Sequence, residues 1–206
     1  MKVALLGGTG SFGRALATRL HEAGVEVMIG SRDPERAAEA ARELGVEGAT
    51  NEDALAGADL AVLAVKADAA LETAEKLAAA IGTTPVLSVG SELRFTKDGV
   101  LASPQARSLA ERIADLLDAP VVAGLHSLAA ATLGGEQAPA EDALVCGNDS
   151  EAKELALDLA SRLVTGRALD AGPLASARAL EGMTAVIVNL NKRYRGHAGF
   201  QVTGLP

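Results

Sequence analysis

Residues 3–16 read VALLGGTGSFGRAL: an apolar run, then Gly7, Gly8, Gly10 and Gly13 within seven positions, then the start of an amphipathic segment. Val3 to Leu6 has the continuous apolar character of a strand covered on both faces. Phe12, Ala15, Leu16 and Leu20 recur at helical spacing and predict a helix that ends at Gly24. Val25 to Ile29 is the next strand. The glycines therefore sit where a strand turns into a helix, and their spacing Gly8-x-Gly10-x-x-Gly13 is that of a dinucleotide-binding turn. One glycine allows the tight turn, one lets backbone approach a pyrophosphate, and one lets helix and strand pack closely. A Cβ at Gly10 would occupy the phosphate position, and backbone N–H groups around Ser11 and Phe12 would meet the anion at the positive end of the helix dipole.

Outward from this unit the order of elements repeats. Asp33-Pro34 is a helix start, an N-cap acid followed by proline at the first helical position, and Gly45 stops that helix. Leu60 to Val65 reads as a third strand. Leu71, Ala74, Leu77, Ala78 and Ile81 form the inner face of a helix closed by Gly82. Further strands are expected at Pro85–Val89, Val121–Leu125, Ala143–Cys146 and Arg167–Leu169, with helices near 106–117, 150–164 and 174–193. Strands alternating with helices imply an α/β fold, a Rossmann-like, doubly wound and mostly parallel sheet, with a short C-terminal helical extension. Gly90 to about Gln105 reads as a long connection, of the kind that forms lids or binding loops.

Composition narrows the partners. The 206 residues carry a net charge of −8, which disfavours nucleic acid and anionic membrane surfaces, and the low aromatic content (2%, with no Trp) disfavours base-stacking platforms. The single cysteine, Cys146, forms no internal disulfide, and three scattered histidines give no metal-ligand spacing. No apolar run approaches the length of a membrane span, and Met1-Lys2 leads directly into the first strand with no export signal, so a cytoplasmic, metal-free protein is expected.

The end of the second strand selects the nucleotide. An NAD site commonly places Asp or Glu there for the ribose 2′-hydroxyl. This chain has Gly30, Ser31 and Arg32, with Arg36 one turn into the following helix. Two forked guanidiniums and a hydroxyl suit a 2′-phosphate, so NADP is expected over NAD. Asp33 is accounted for as the N-cap. The same glycines also fit Gly7-x-x-Gly10-x-x-Gly13, the spacing of short-chain dehydrogenases. That class needs a Tyr with Lys four residues on, whereas the lone Tyr194 is followed by Ala198. Of the histidines, His21 lies on the first helix, which leaves His126 and His197, and acid–base machinery is otherwise thin. Hydride transfer between two bound redox molecules requires little of it, because it depends on holding two rings face to face.

With these features, the stretches GSRDPER, DLAVLAV, GLHSLAAA, VCGNDSEAK and LDAGPLASARALE and the tail NLNKRYRGHAGFQVTG resemble the F420-dependent NADP reductases, nearly from end to end. The resemblance implies reversible hydride transfer between NADPH and the deazaflavin coenzyme F420. It implies that Gly8 to Gly13 hold the NADP phosphates, Ser31, Arg32 and Arg36 the 2′-phosphate, and Val65 the nucleotide near the third strand. His126, Ser127, Leu128 and Ala130, with Gly199 and Phe200 of the tail, would line the deazaflavin pocket, His126 in an orienting role. Residues 1–172 would form the NADP-binding domain, and residues 173–206 would complete the second pocket. Lys192, Arg193 and Arg195 offer a basic patch for an anionic tail, and a homodimer is expected. Three departures stand out: Lys66-Ala67 where relatives usually have proline, the 90–105 segment in place of a proline-rich loop, and Ala129 in place of proline. A reductase of a small carbonyl or imine, or a non-catalytic NADP-sensing module, are the other readings that the residues leave open.

Overall fold

A computed structural model describes residues 1–205. The strands are β1 (Lys2–Leu6), β2 (Glu26–Ser31), β3 (Glu47–Thr50), β4 (Leu60–Leu63), β5 (Val86–Ser88), β6 (Leu93–Thr96), β7 (Gly99–Ala102), β8 (Val121–Gly124), β9 (Ala143–Gly147) and β10 (Ala168–Asp170). The helices are α1 (Ser11–Glu22), α2 (Pro34–Leu44), α3 (Asn51–Leu55), α4 (Ala67–Ile81), α5 (Leu109–Ala114), α6 (Ala130–Leu133), α7 (Ser150–Ser161) and α8 (Ala177–Tyr194). Eight strands form one sheet in the order β10-β9-β8-β5-β4-β1-β2-β3, and β6 pairs only with β7. All neighbours in the large sheet run parallel except β8 and β9, where Gly124 pairs antiparallel with Val145.

The pleat of β1 sorts its side chains between two cores. Val3 and Leu5 join Leu16, Leu20, Val122 and Leu159 under α1 and α7. Ala4 and Leu6 join Leu63, Leu77, Ile113 and Leu180 under α4, α5 and α8. With both faces covered, the central strands are almost wholly apolar between Lys2 at the start of β1 and Ser88 at the end of β5, which is why they read as apolar runs. Cys146 is fully buried in the second core, and burial pushes its thiol up to about 11, so it packs as a small apolar side chain. Among the described residues no helix is long and apolar enough to cross a membrane.

Local chemistry fixes the joints. Asp33 accepts from the backbone N–H groups of Glu35 and Arg36, as an N-cap should, and Gly45 ends α2 in the left-handed region (φ 70°). Several features differ from the sequence-based expectation, among them the short helix α6, which the sequence reading did not include. The edge strand β3 and the short α3 go beyond it, because EGAT lacks the apolar run that marks a buried strand and its Gly48 lies tight against Ala37 of α2. The 90–105 segment is a hairpin, β6 and β7, rather than an unstructured loop. Asn189 of α8 pins it by accepting from Val100 N (2.8 Å) and donating to Val100 O (2.7 Å). Helix α5 is shorter than the 106–117 expected, starting at a capping box of Ser108 with Glu111.

Helix α8 is tied into the molecule by a buried carboxylate. Glu181 accepts from Leu109 N (3.0 Å) and Ala110 N (3.1 Å), so that it caps α5 from a different helix. Burial pushes this carboxyl up, against the pull of those two backbone donors.

Candidate active site

The turn after β1 is built by its glycines. Gly7 adopts φ +74°, a conformation costly for a residue with a Cβ, and Gly8 N donates to Leu5 O (3.0 Å) and Gly30 O (3.1 Å). A Cβ on Gly13 would lie 2.7 Å from Gly8 Cα, so these two glycines let α1 sit directly on the turn. Gly8 and Gly13 are thus buried beneath the loop and act on packing. Gly10 is different: its only neighbour within reach of a Cβ is Gly7 O at 3.8 Å, and no side chain caps α1. The first-turn N–H groups are left for an anion.

Beside this turn, at the C-terminal ends of β1, β2 and β4, lies a crevice of about 760 Å³. Thr9, Gly10, Ser31, Arg32, Arg36 and Val65 all line it. Arg32 and Arg36 are exposed and form no ion pair among the described residues, and Ser31, mostly buried, accepts from Asp33 N (3.2 Å). Lys66 and Thr73 of the β4–α4 unit add polar groups on the opposite wall. Sequence reasoning missed Asn51, which is buried and accepts from Gly7 N (3.4 Å), bracing the turn from the start of α3. The signal lay in Thr50 and Asp53, whose reciprocal N-cap pattern marks a helix start there.

Phe12 is not part of that crevice's lining and instead lines a smaller cleft of about 190 Å³ with His126, Leu128, Val89, Ser91 and Thr184. The cleft is entered by a strained step. Leu125, fully buried at the end of β8, has φ +65°, and its O accepts from Leu128 N (3.0 Å), turning the chain so that His126 follows directly. The His126 carbonyl accepts from Thr184 Oγ1 (2.9 Å), which is within 2.8 Å of Ser91 Oγ. Burial pushes the imidazole down to about 4, against a weaker pull from the nearby Gly90 backbone, and among the described residues neither ring nitrogen has a partner in good hydrogen-bond geometry. His126 is therefore neutral at pH 7.

The tail does not reach that cleft. Gly199 lines a separate cavity of about 540 Å³, together with Thr132, Glu141, His197 and Gln201. Phe200 is held beside it, its O accepting from Asp142 N (2.7 Å). Ser127 points to the same segment, its Oγ donating to Asp142 O (3.4 Å), and Ala130 begins α6, which lies between the His126 cleft and the tail cavity. Of the residues expected to line one second pocket, His126 and Leu128 line the cleft and Gly199 lines the tail cavity, whereas Ser127, Ala130 and Phe200 line neither. Asp142 locks the tail: its carboxylate accepts from Arg167 Nη2 (2.9 Å), Arg167 N (2.8 Å) and Val202 N (2.8 Å). The Arg167 guanidinium and these backbone donors hold that carboxyl down to about 2. Of the basic tail residues, Lys192 lies over the Phe95 ring of the hairpin, 5.2 Å from its centroid.

Comparison with known proteins bears on this arrangement. A family model described as NADP oxidoreductase coenzyme F420-dependent matches residues 2–92. The F420-dependent NADP reductase of Methanothermobacter thermautotrophicus is 36% identical over 228 aligned positions, with all of this chain and 96% of that protein covered. Its counterpart in Methanocaldococcus jannaschii is 34% identical, with all of this chain and 99% of the other covered. A crystal structure from Arthrobacter sp. FB24, provisionally assigned to the same activity, superposes with a TM-score of 0.84 at 27% identity, covering 99% of this chain and all of that one. The imine reductase of Streptomyces aurantiacus shares the fold alone, with a TM-score of 0.65, 23% identity and 62% of its own chain covered.

Proposed function

This chain belongs to the F420-dependent NADP reductase family, and from that premise we infer how its residues serve the reaction. It is an oxidoreductase that transfers hydride between NADPH and coenzyme F420. The crevice beside the glycine turn takes NADP. The uncapped start of α1, with Thr9 and Gly10, meets the pyrophosphate, Ser31, Arg32 and Arg36 grip the 2′-phosphate, and Val65 borders the nucleotide farther in. The observation that carries this reading is the pair of guanidiniums with no carboxylate partner among the described residues, lining an open crevice at the positive end of a helix.

The nicotinamide end extends toward Phe12 and His126, and the deazaflavin lies along the His126–Ala130 segment toward the tail at Gly199 and Phe200. When both are bound, hydride passes between C4 of the pyridine ring and C5 of the deazaflavin. The protein's contribution is to hold the rings in contact and exclude water. His126 is a buried neutral group whose ring nitrogens lack a well-aligned partner among the described residues, suited to orienting a carbonyl or amide and not to taking a proton. Residues 1–172 carry the nucleotide, and residues 173–206 complete the second site.

A homodimer fits the surface. Val186, Leu190 and Tyr194 are exposed at successive turns of one face of α8, with Phe95 and Leu101 exposed on the hairpin that α8 carries. The cytoplasm is the compartment in which both redox molecules would meet the protein.

The experiment is to mix the protein with NADPH and oxidised F420 and to follow loss of the deazaflavin absorbance. Turnover is expected with NADPH and much less with NADH. Turnover of small imines or carbonyls in place of F420 would favour a different reductase, and tight NADPH binding without any turnover would favour a sensing module.

A further inference from the structure

The backbone at the end of β8 is strained, and it is braced from a distant part of the fold. Leu125 is 1% exposed and adopts φ +65°. A left-handed conformation is rare for a bulky side chain and persists where the surroundings over-determine it. Three hydrogen bonds do so here. Leu125 N donates to Leu144 O of β9 (3.1 Å), Leu125 O accepts from Leu128 N (3.0 Å), and His126 O accepts from Thr184 Oγ1 (2.9 Å). The first two join backbone to backbone. The third comes from a side chain of α8, 58 residues away in the C-terminal extension.

Thr184 spends its hydroxyl in an unusual direction. A threonine inside a helix commonly bonds to the carbonyl three or four residues back on its own helix, whereas Thr184 donates outward to a different segment. Each hydroxyl carries one proton. With that of Thr184 committed to His126 O, the 2.8 Å contact between Thr184 Oγ1 and Ser91 Oγ is a donation from Ser91, on the connection between β5 and β6. The relay from Ser91 through Thr184 to His126 thus joins three segments. All three residues line the cleft that also holds Phe12 from the start of α1. Two other polar residues of α8 have a structural task, Glu181 capping α5 and Asn189 clasping the hairpin, and neither lines this cleft.

The orientation of the Leu125–His126 peptide sets where the imidazole leaves the backbone. Relaxation of Leu125 to negative φ would rotate that peptide and swing His126 out of its place in the wall. We propose that Thr184, supported by Ser91, is a positioning residue for hydride transfer: its bond to the His126 carbonyl holds the strained step, and with it the wall against which the nicotinamide ring is seated. This rests on the reading above that the nicotinamide end reaches Phe12 and His126. Hydride transfer is sensitive to such placement, because a displacement of about 1 Å can cost on the order of a hundredfold in rate. Affinity for NADPH draws mainly on the phosphate contacts of the larger crevice, which neither hydroxyl lines.

The test uses Thr184→Val, which keeps the shape and branching but removes the hydroxyl, and Thr184→Ser, which keeps the hydroxyl. Single-turnover mixing of the NADPH-loaded protein with oxidised F420 gives the hydride-transfer rate, and NADPH fluorescence titration gives its Kd. NMR of the protein without substrates reports the Leu125 backbone coupling and the His126 ring signals. Val should slow hydride transfer by at least about tenfold, with Kd for NADPH within about twofold, and should shift both NMR signals. Ser should stay within about threefold of wild type in rate and keep the wild-type signals. If a thermal melt shows that Val does not fold, Ser91→Ala takes its place and should slow transfer about threefold with little change in Kd. Val as fast as wild type would overturn the proposal. Ser as slow as Val would overturn it also, because shape and not the hydroxyl would then matter, and so would equal losses in transfer rate and NADPH affinity. Wild type that binds NADPH but leaves F420 oxidised would defeat the functional reading. The NMR comparison then decides the clamp by itself: signals shifted in Val and kept in Ser support it, and unchanged signals in Val overturn it.

Discussion

Arg32, Arg36 and His126 show how far one side chain can be read. Arg32→Ala combined with Arg36→Ala should weaken NADPH by roughly 1–3 kcal/mol for each charge-assisted hydrogen bond removed while leaving NADH nearly unaffected, as measured by parallel titrations. Unchanged NADPH affinity would remove the 2′-phosphate assignment. These arginines were legible because the absence of an acid after the second strand is itself a signal. His126 was legible as a position, but its state was not, since neutrality follows from burial that no local pattern reports. Its imidazole titrates near 6.5 when unfolded and is held down to about 4 when folded. The unfolded chain therefore binds this proton first, so stability is full above pH 6.5 and declines as pH falls toward 4. The contribution lost between pH 7 and 4.5 is roughly 2–3 kcal/mol. Denaturant titrations at the two pH values should show a smaller loss in His126→Leu than in wild type.

At the level of elements, the long buried strands and the helices with marked caps were readable, because period and end signals agree there. The elements missed are those whose stability comes from distant partners. β3 has no apolar run and survives on pairing with β2, from Met28 with Glu47 to Ser31 with Thr50. The β6–β7 hairpin leaves Phe95 and Leu101 exposed and is held by an amide from a helix almost ninety residues away. A single sequence carries no record of such a clasp. Asn189→Ala should leave both polar groups of Val100 without that partner, costing about 1–3 kcal/mol, and should open the hairpin to limited proteolysis within 93–102. A hairpin that resists cleavage in this variant would mean that α8 holds it by packing alone. The buried Glu181 cap was likewise invisible, since in sequence it is an ordinary helix acid.

Across the whole molecule, the glycine turn and its crevice follow from the fingerprint, while the proposed second site would depend on three segments meeting far from one another in sequence. The 126–142 segment, the hairpin with α8, and the tail are each readable as pieces, yet their division into a small cleft and a larger cavity is decided by where α6 and the tail settle. Asp142 governs the latter. Its carboxylate gains stability from Arg167 and Val202 that is present above its unfolded titration near pH 3.9 and fades as pH falls toward 2. Asp142→Asn should speed hydrogen exchange across 198–205 and raise KM for F420, with KM for NADPH held constant. Slow exchange in the tail of that variant would show that other interactions suffice to anchor it.

The one antiparallel step in the sheet has a practical outcome. Because β9 runs back against β8, the chain leaves the rim after Gly124 and returns to it beside its own departure point, with Gly124 and Val145 as paired neighbours. The excursion between them is a closed cassette whose two ends are fixed by the sheet. Grafting the corresponding span from a relative should exchange the choice of hydride acceptor while the pyridine nucleotide half is inherited intact.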